Sequence, residues 1–135
     1  MWRRAFSFLL PIVALLAVAS TPAAAADGVP VTVHVTCRSN DNHYTASDIT
    51  YDSTTHVVSK VTWNTNAAFR ADRITWAGWG TDGWVVVAQR GGDSDTHDDV
   101  DPSGTITTGI DQTTGLSFFR ISVWDANWGD CHSGS

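Results

Sequence analysis

The chain contains no glutamate and a single lysine, Lys60. All fourteen of its carboxylates are therefore aspartates, and they outnumber eight Lys and Arg side chains, for a formal net charge of −6 at pH 7. A surface with so little positive charge repels phosphate backbones and anionic lipid head groups. Nucleic acid is accordingly not an expected partner. The scarcity of lysine, beside abundant Ala, Thr, Asp and Trp, is typical of a GC-rich bacterial source.

The sequence also lacks the short motifs that mark many enzymes. It has no G-x-S-x-G, no H-E-x-x-H, no phosphate loop and no recognisable nucleophilic cysteine. No two aspartates are set apart by a spacing typical of general acid–base catalysis. We interpret the histidines as solvated surface groups, with a spatial cluster of some of them as the alternative. The five are His34, His43, His56, His97 and His132. The sequence thus predicts no catalytic residue, no required cofactor and no enzyme.

The first 26 residues are typical of a secretory signal peptide. Arg3 and Arg4 form a positive start, residues 6–19 are almost entirely apolar, and small alanines follow up to Ala26. A membrane anchor is the alternative, but the apolar run is shorter than the ~20 residues that a span requires. We expect cleavage after Ala26 by the general secretory route, and the two arginines leave twin-arginine export open.

Residues 27–135 are expected to form a single secreted domain. Removing 26 residues from 135 leaves 109, a length that suits one domain with its own core. Loss of Arg3 and Arg4 leaves six cationic side chains against fourteen aspartates, so the mature charge is −8. We expect a secreted monomer with no membrane span after cleavage, and retention at the cell envelope is the alternative location.

Cys37 and Cys131 are the only cysteines. In an exported protein such a pair most simply forms one disulfide. It would close a loop of roughly 94 residues and contribute about 4.5 kcal/mol on the chain-entropy model. Two free thiols are the alternative, since neither cysteine has a second ligand at the spacing of a zinc site.

No helix is predicted in the mature part, because no window keeps apolar residues at i, i+3, i+4 and i+7 beside a plausible cap. Short β-branched and aromatic runs alternate between two faces instead. The predicted inward sets are Val31, Val33, Val35 and Cys37; Val57, Val61 and Trp63; Ile74 and Trp76; Ile106 and Ile110; and Phe119, Ile121 and Val123.

The remaining patterns complete an all-β prediction. Asp82-Gly83 predicts a two-residue type I′ hairpin turn. Residues 84–89 are apolar on both faces, which predicts a central strand. With a weaker strand near 45–51, about seven or eight short strands are expected. This spacing predicts an antiparallel β-sandwich, immunoglobulin-like or a related Greek key, tied by one disulfide, with a small β-barrel as the alternative.

One segment, GGDSDTHDDVDPSG at 91–104, concentrates acidic charge. Its five carboxylates lie within nine residues: Asp93, Asp95, Asp98, Asp99 and Asp101. A calcium site is one interpretation, because calcium takes six to eight oxygen ligands. A transition-metal site assisted by His97 is another. An EF-hand is excluded, since Asp98 and Gly104 occupy the places of its Gly and Glu. We favour a solvated connection between strands, whose aspartates cap local turns.

Six tryptophans remain after export. We expect Trp63, Trp76 and Trp84 in the core. Exposed tryptophans suit both sugar stacking and protein anchoring. The candidate ligand-binding residues are therefore Trp79, Trp124 and Trp128, with Asp125 and Asn127 as hydrogen-bonding neighbours. The C-terminal segment DANWGDCHSGS is expected to be a loose tail, and the alternative is that Trp128 covers the disulfide and Trp124 packs under a loop.

These observations favour a non-enzymatic exported binding protein that acts through loops and exposed aromatics on an extracellular protein, in the manner of an inhibitor. A glycan-binding module that stacks sugars on Trp79 and Trp128 is the first alternative. A structural protein of the cell envelope is the second. Protein targets are favoured, because sugar-binding modules are usually attached to a catalytic domain and this sequence predicts none.

Overall fold

The computed structural model describes residues 28–40, 43–66, 71–92, 100–125 and 129–134. The predicted signal peptide lies outside these residues. All regular structure in the described part is β, as the alternation predicts. The eight strands are β1 (Pro30–Asn40), β2 (His43–Asp52), β3 (Val58–Thr65), β4 (Arg73–Gly80), β5 (Gly83–Gly91), β6 (Ser103–Ile106), β7 (Ser117–Asp125) and β8 (Gly129–Gly134).

The strands form two separate antiparallel sheets of four. Sheet 1 has the order β1-β2-β3-β6 and sheet 2 the order β5-β4-β7-β8. The described strands do not close into a barrel, so the barrel alternative is wrong, and the arrangement is consistent with a β-sandwich. The third strand stays in sheet 1, whereas constant-type immunoglobulin domains place it in the second sheet. A broader Greek-key relation stays a prediction.

The core lies between the sheets and is built from alternate residues of each strand. The rings of Trp63 and Trp76 meet across it, with centroids 5.4 Å apart. On the side away from β5 and β6, β1 packs against β7 and β8. The most deeply buried apolar side chains are Cys37, Ile49, Val58, Val61, Ile74, Trp76, Ile106, Leu116 and Ile121.

Most predicted inward faces are confirmed, but the prediction for Val31, near the start of β1, is wrong because its side chain is 37% exposed. Phe119, Ile121 and Val123 are all buried, as are Ile74 and Trp76. The prediction for β3 is wrong at its first residue, because Val58 rather than Val57 enters the core. Here Tyr51 pairs with Val58 while Thr50 pairs with Lys60, so one extra residue bulges and shifts the alternation.

The β4–β5 hairpin is confirmed, but its turn lies one residue earlier than predicted. Gly80 pairs with Gly83, so Thr81 and Asp82 form the loop. Only Gly83, at φ +112°, has positive φ at this turn. A type I′ turn needs positive φ at both central residues, and this loop therefore does not have that geometry.

Two predictions about strand placement are wrong. β5 is an edge strand rather than a central one, and its middle is met by Asp111 N, which donates to Val87 O at 2.8 Å. The C-terminal segment, predicted as a loose tail, forms β8 and pairs with β7. The acidic connection runs from β5 at one edge of sheet 2 to β6 at one edge of sheet 1, as a strand-to-strand link.

Candidate functional site

The outer faces of the two sheets differ in chemistry. Sheet 1 carries polar cross-strand pairs: His34 Nδ1 lies 2.7 Å from Asp48 Oδ1, and the hydroxyls of Thr32 and Thr50 are 3.0 Å apart. Such pairs are ordinary for a solvated face. Sheet 2 instead exposes large apolar groups on the corresponding side, and this makes it the candidate site.

The apolar part of sheet 2 centres on two tryptophans. Trp79 and Trp84 are direct partners across β4 and β5. Their rings meet edge to face at 5.3 Å and 80°, and the side chains are 46% and 41% exposed. Val86, two residues along β5, is 51% exposed. Exposed aliphatic and aromatic groups that adjoin on a sheet are typical of a contact surface.

Arg120 supplies the charge of this surface. Arg120, on β7, lies opposite Ala77 of β4. Its guanidinium carbon is 4.1 Å from the centroid of the Trp84 ring. Ala77, between β5 and β7, is only 3% exposed. Arg120 Nε is buried and has no hydrogen-bond partner among the described residues. A cation–π contact therefore stabilises the guanidinium where hydrogen bonds do not. We call Trp79, Trp84, Val86 and Arg120 the tryptophan face.

A second arginine stands at the other end of the same sheet. Arg73 lies 5.7 Å from the ring centroid of Trp124, its partner on β7. Arg73 and Arg120 both lie on the outer side of sheet 2, and Asp130 of β8 occupies the register position opposite Trp124 on the same side. Arg120 is thus a cation within the tryptophan face of a chain whose formal net charge is −6.

Trp84 was expected in the core, and this is wrong. Its run is apolar on both faces because the outer side of an edge strand displays Trp84 and Val86 to solvent, not because two layers cover it. Trp63 and Trp76 are buried as predicted. The apolar residues at 84–89 are the sequence feature that indicates this exposed face. A buried strand has the same composition, so the sequence does not distinguish the two.

The other predicted ligand-binding residues are spread out. Trp79 belongs to the tryptophan face. Trp124 is half-buried beside Arg73, and Asp125 is 7% exposed, so little of that carboxylate is open to a ligand. Trp128 and Asn127 lie outside the described residues. Within the described part, the structure therefore unites only Trp79 with an exposed aromatic neighbour, Trp84.

The predicted calcium ligands fall mostly outside the described residues. Asp93, Asp95, Asp98 and Asp99 are not described, and Asp101 is exposed on the approach to β6. The carbonyl of Asp101 accepts the Trp63 indole N–H at 2.8 Å, and Asp101 also borders a cavity of about 620 Å³. No group of three or more His, Cys, Asp or Glu is placed to hold a metal within the described ranges. Calcium binding stays a prediction.

The predicted disulfide is described on one side only. Cys37 is buried on β1, and β1 packs against β8. Cys131 stands opposite Val123 in the β7–β8 ladder, but its side chain is not described. The pairing of Cys37 with Cys131 stays a prediction.

The histidines do not converge where they are described. His34 pairs with Asp48 on the outer face of sheet 1. His56 lies in the β2–β3 turn, whereas His43 begins β2 at its other end. His97 lies outside the described residues, and the side chains of His43 and His132 are not described.

The chain was compared with protein-family models, curated protein sequences and solved structures, and it matches none of them. Within the described residues, no helix has the length and apolar character needed to cross a membrane.

Proposed function

We propose that the chain is an exported, non-enzymatic binding protein whose tryptophan face docks on an extracellular protein. The observation that carries this proposal is the exposed Trp79–Trp84 pair with Arg120 stacked on Trp84. Trp and Arg are the residue types most enriched among binding hot spots. A face that presents both, flanked by exposed Val86, has the composition of an interface centre.

The charges favour a particular kind of target. Arg120 gives the tryptophan face a positive charge, so a target surface with an apolar centre and carboxylates at its rim complements it. The acidic remainder of the chain would repel such a target in other orientations. Charge would therefore orient the encounter, while the tryptophans supply most of the affinity.

A protein target fits this face better than a glycan. Arg120 covers one face of the Trp84 ring, which removes a plane on which a sugar could stack. Val86 and Ala77 are the neighbours along the sheet, and aliphatic groups cannot bond sugar hydroxyls. Trp79 alone retains an open aromatic surface for stacking.

Two further features complete the proposal. We propose that residues 1–26 direct export and are removed. We also propose that Cys37 and Cys131 form a disulfide between β1 and β8, one strand from each sheet. A covalent link between the sheets would keep the tryptophan face on a rigid support.

The test compares face variants with a matched control. Proteins that the immobilised mature chain retains from culture medium are identified, purified and titrated against wild type, Trp79→Ser, Trp84→Ser and Val31→Ser. Val31 is an exposed aliphatic residue on β1, far along the other sheet. Loss of a hot spot of about 2 kcal/mol weakens Kd by about 30-fold.

We expect each tryptophan variant to weaken binding by at least tenfold, with Val31→Ser unchanged, and association to slow at high salt. Unchanged Kd in both tryptophan variants would refute the tryptophan face. A Trp79-dependent fluorescence shift with soluble oligosaccharides, in the absence of any retained protein, would instead support the glycan alternative.

A further inference from the structure

A second candidate site lies at one end of the molecule, and its lining residue Ser117 is the strand partner of Trp79. The β2–β3 turn and the start of β7 enclose a cavity of about 180 Å³. We call it the end cavity. Four of its seven lining residues carry aromatic or imidazole rings. The lining residues are Val33, Tyr51, His56, Leu116, Ser117, Phe118 and Phe119.

Three of the rings that line the end cavity contact one another. Tyr51 meets the His56 ring edge-on at 5.8 Å and the Phe119 ring at 4.9 Å and 39°. Phe119 is buried, whereas Phe118 is 69% exposed. The cavity thus has an aromatic interior and opens to solvent beside Phe118.

The backbone is unusual at two of these rings. His56 has φ +58° and Phe118 has φ +50°, and they are the only non-glycine residues with positive φ among the described residues. A bulky residue such as Phe pays a steric cost in this region. Backbone strain of this kind clusters at functional sites. Both strained residues line the same cavity.

The walls are held together by hydrogen bonds. Gly115 N donates to Thr55 O at 2.8 Å, which links the β2–β3 turn to the segment before β7. Ser53 N donates to Val29 O at 3.0 Å, and Val29 N donates to Ser53 Oγ at 2.9 Å. Hydrogen bonds between separate segments of the chain therefore hold the walls of the cavity, which is not formed by a single loop.

Its surroundings are negative rather than positive. Asp52, in the same turn as His56, accepts hydrogen bonds from Thr54 N and from Thr55 N and Oγ1. These bonds, led by that from Thr55 N, lower the pKa of Asp52 below its ordinary value, so it is ionised at neutral pH. No Lys or Arg belongs to the described lining, and the whole chain is acidic.

We infer that the end cavity is an aromatic cage that binds a quaternary ammonium group. Rings around a concave site attract such cations through their π faces. The volume suits this occupant, since a cavity of roughly 150 Å³ accepts benzene, and a trimethylammonium head is of similar size. The negative potential of the chain would favour the cation over a neutral group of equal shape.

The probes are choline and its neutral isostere 3,3-dimethyl-1-butanol, titrated into the mature protein at constant ionic strength. Binding is followed by NMR shifts of the His56 and Phe118 amides. The variants are Phe118→Ala and His56→Gly, which retains access to positive φ. Trp84→Ala is the control, because it removes an exposed aromatic on β5, a strand that contributes no residue to the lining of the end cavity.

We expect choline to bind with a millimolar Kd, at least tenfold more tightly than the neutral isostere. Each cavity variant should weaken choline binding by at least threefold, and Trp84→Ala should leave it unchanged. Equal affinity for both probes would overturn the cage and leave an apolar pocket. Absence of choline binding, or equal binding by all variants, would overturn it as well. None of these outcomes depends on the protein target proposed for the tryptophan face.

Discussion

The indole N–H of Trp76 on β4 donates to Ser47 Oγ on β2 at 2.7 Å. Ser47 Oγ in turn donates to Thr62 O at 2.5 Å. Both side chains are buried, so this short chain of hydrogen bonds joins sheet 2 to sheet 1 inside the core. It satisfies the single polar atom of the largest fully buried side chain.

Ser47→Ala should destabilise the domain by about 1–3 kcal/mol, because it leaves the Trp76 indole N–H buried without its acceptor. Urea unfolding monitored by circular dichroism measures the change. Ser59→Ala is the matched control, since it removes an exposed strand hydroxyl that donates to Thr50 O at 3.3 Å. Equal stability of the Ser47 and Ser59 variants would contradict this account of the core.

The alternation of apolar residues predicted the architecture because burial between two sheets imposes a period of two. It predicted the core faces of β4 and β7 correctly. It was wrong at Val57 because a bulge breaks the period, and a one-residue insertion leaves no mark in the residue types. The prediction likewise placed the turn one residue too late. Gly83 has positive φ, but it lies directly after the loop Thr81–Asp82 and not within it.

Strand order was the larger obstacle. An apolar run that is exposed for binding has the same composition as one buried in mid-sheet, so Trp84 and Val86 were assigned to the core. Only the position of β5 at the sheet edge separates the two cases. β8 was missed because Gly, Asp and Ser dominate it, and such residues ordinarily indicate a loop. The end cavity unites residues from β1, the β2–β3 turn and β7, which no local pattern connects.

Phe118→Gly should be more stable than Phe118→Ala by about 1 kcal/mol. Both variants lose the phenyl ring, so the difference between their free energies of unfolding reports the effect of the backbone conformation alone. At φ +50° alanine retains a steric cost of about 1–2 kcal/mol that glycine lacks. The greater entropy of glycine in the unfolded chain offsets about 0.5–1 kcal/mol of this difference. Midpoints of urea unfolding measure the difference. If alanine is the more stable, Phe118 is not strained.

Asp52→Asn should lower the melting temperature at pH 7 and have little effect near pH 2. Hydrogen bonding, led by the bond from Thr55 N, lowers the folded-state pKa of Asp52 below its ordinary value. The contribution of the ionised carboxylate is therefore full above the unfolded-state pKa and is lost as the pH falls through the lower, folded-state pKa. Melting curves from pH 2 to 7 measure it. Asp82→Asn, in the exposed β4–β5 turn, changes charge equally, and the same pH profile in both variants would contradict a special role for Asp52.

Reduction of the exported protein should raise its mass by about two daltons, as expected for opening one disulfide. Cys37 is buried on β1, and β1 packs against β8, the strand on which Cys131 stands opposite Val123. A bond between them would join the two sheets and close a loop of roughly 94 residues, so opening it should cost about 4–5 kcal/mol of stability on the chain-entropy model. Urea unfolding with and without reductant measures that loss.

The double variant Cys37→Ala, Cys131→Ala is the control and should be insensitive to reductant, with a stability near that of the reduced wild type. An unchanged mass on reduction would show that the thiols are unpaired, and the rigid support proposed for the tryptophan face would then have to come from the Trp76–Ser47 bond and the apolar core alone.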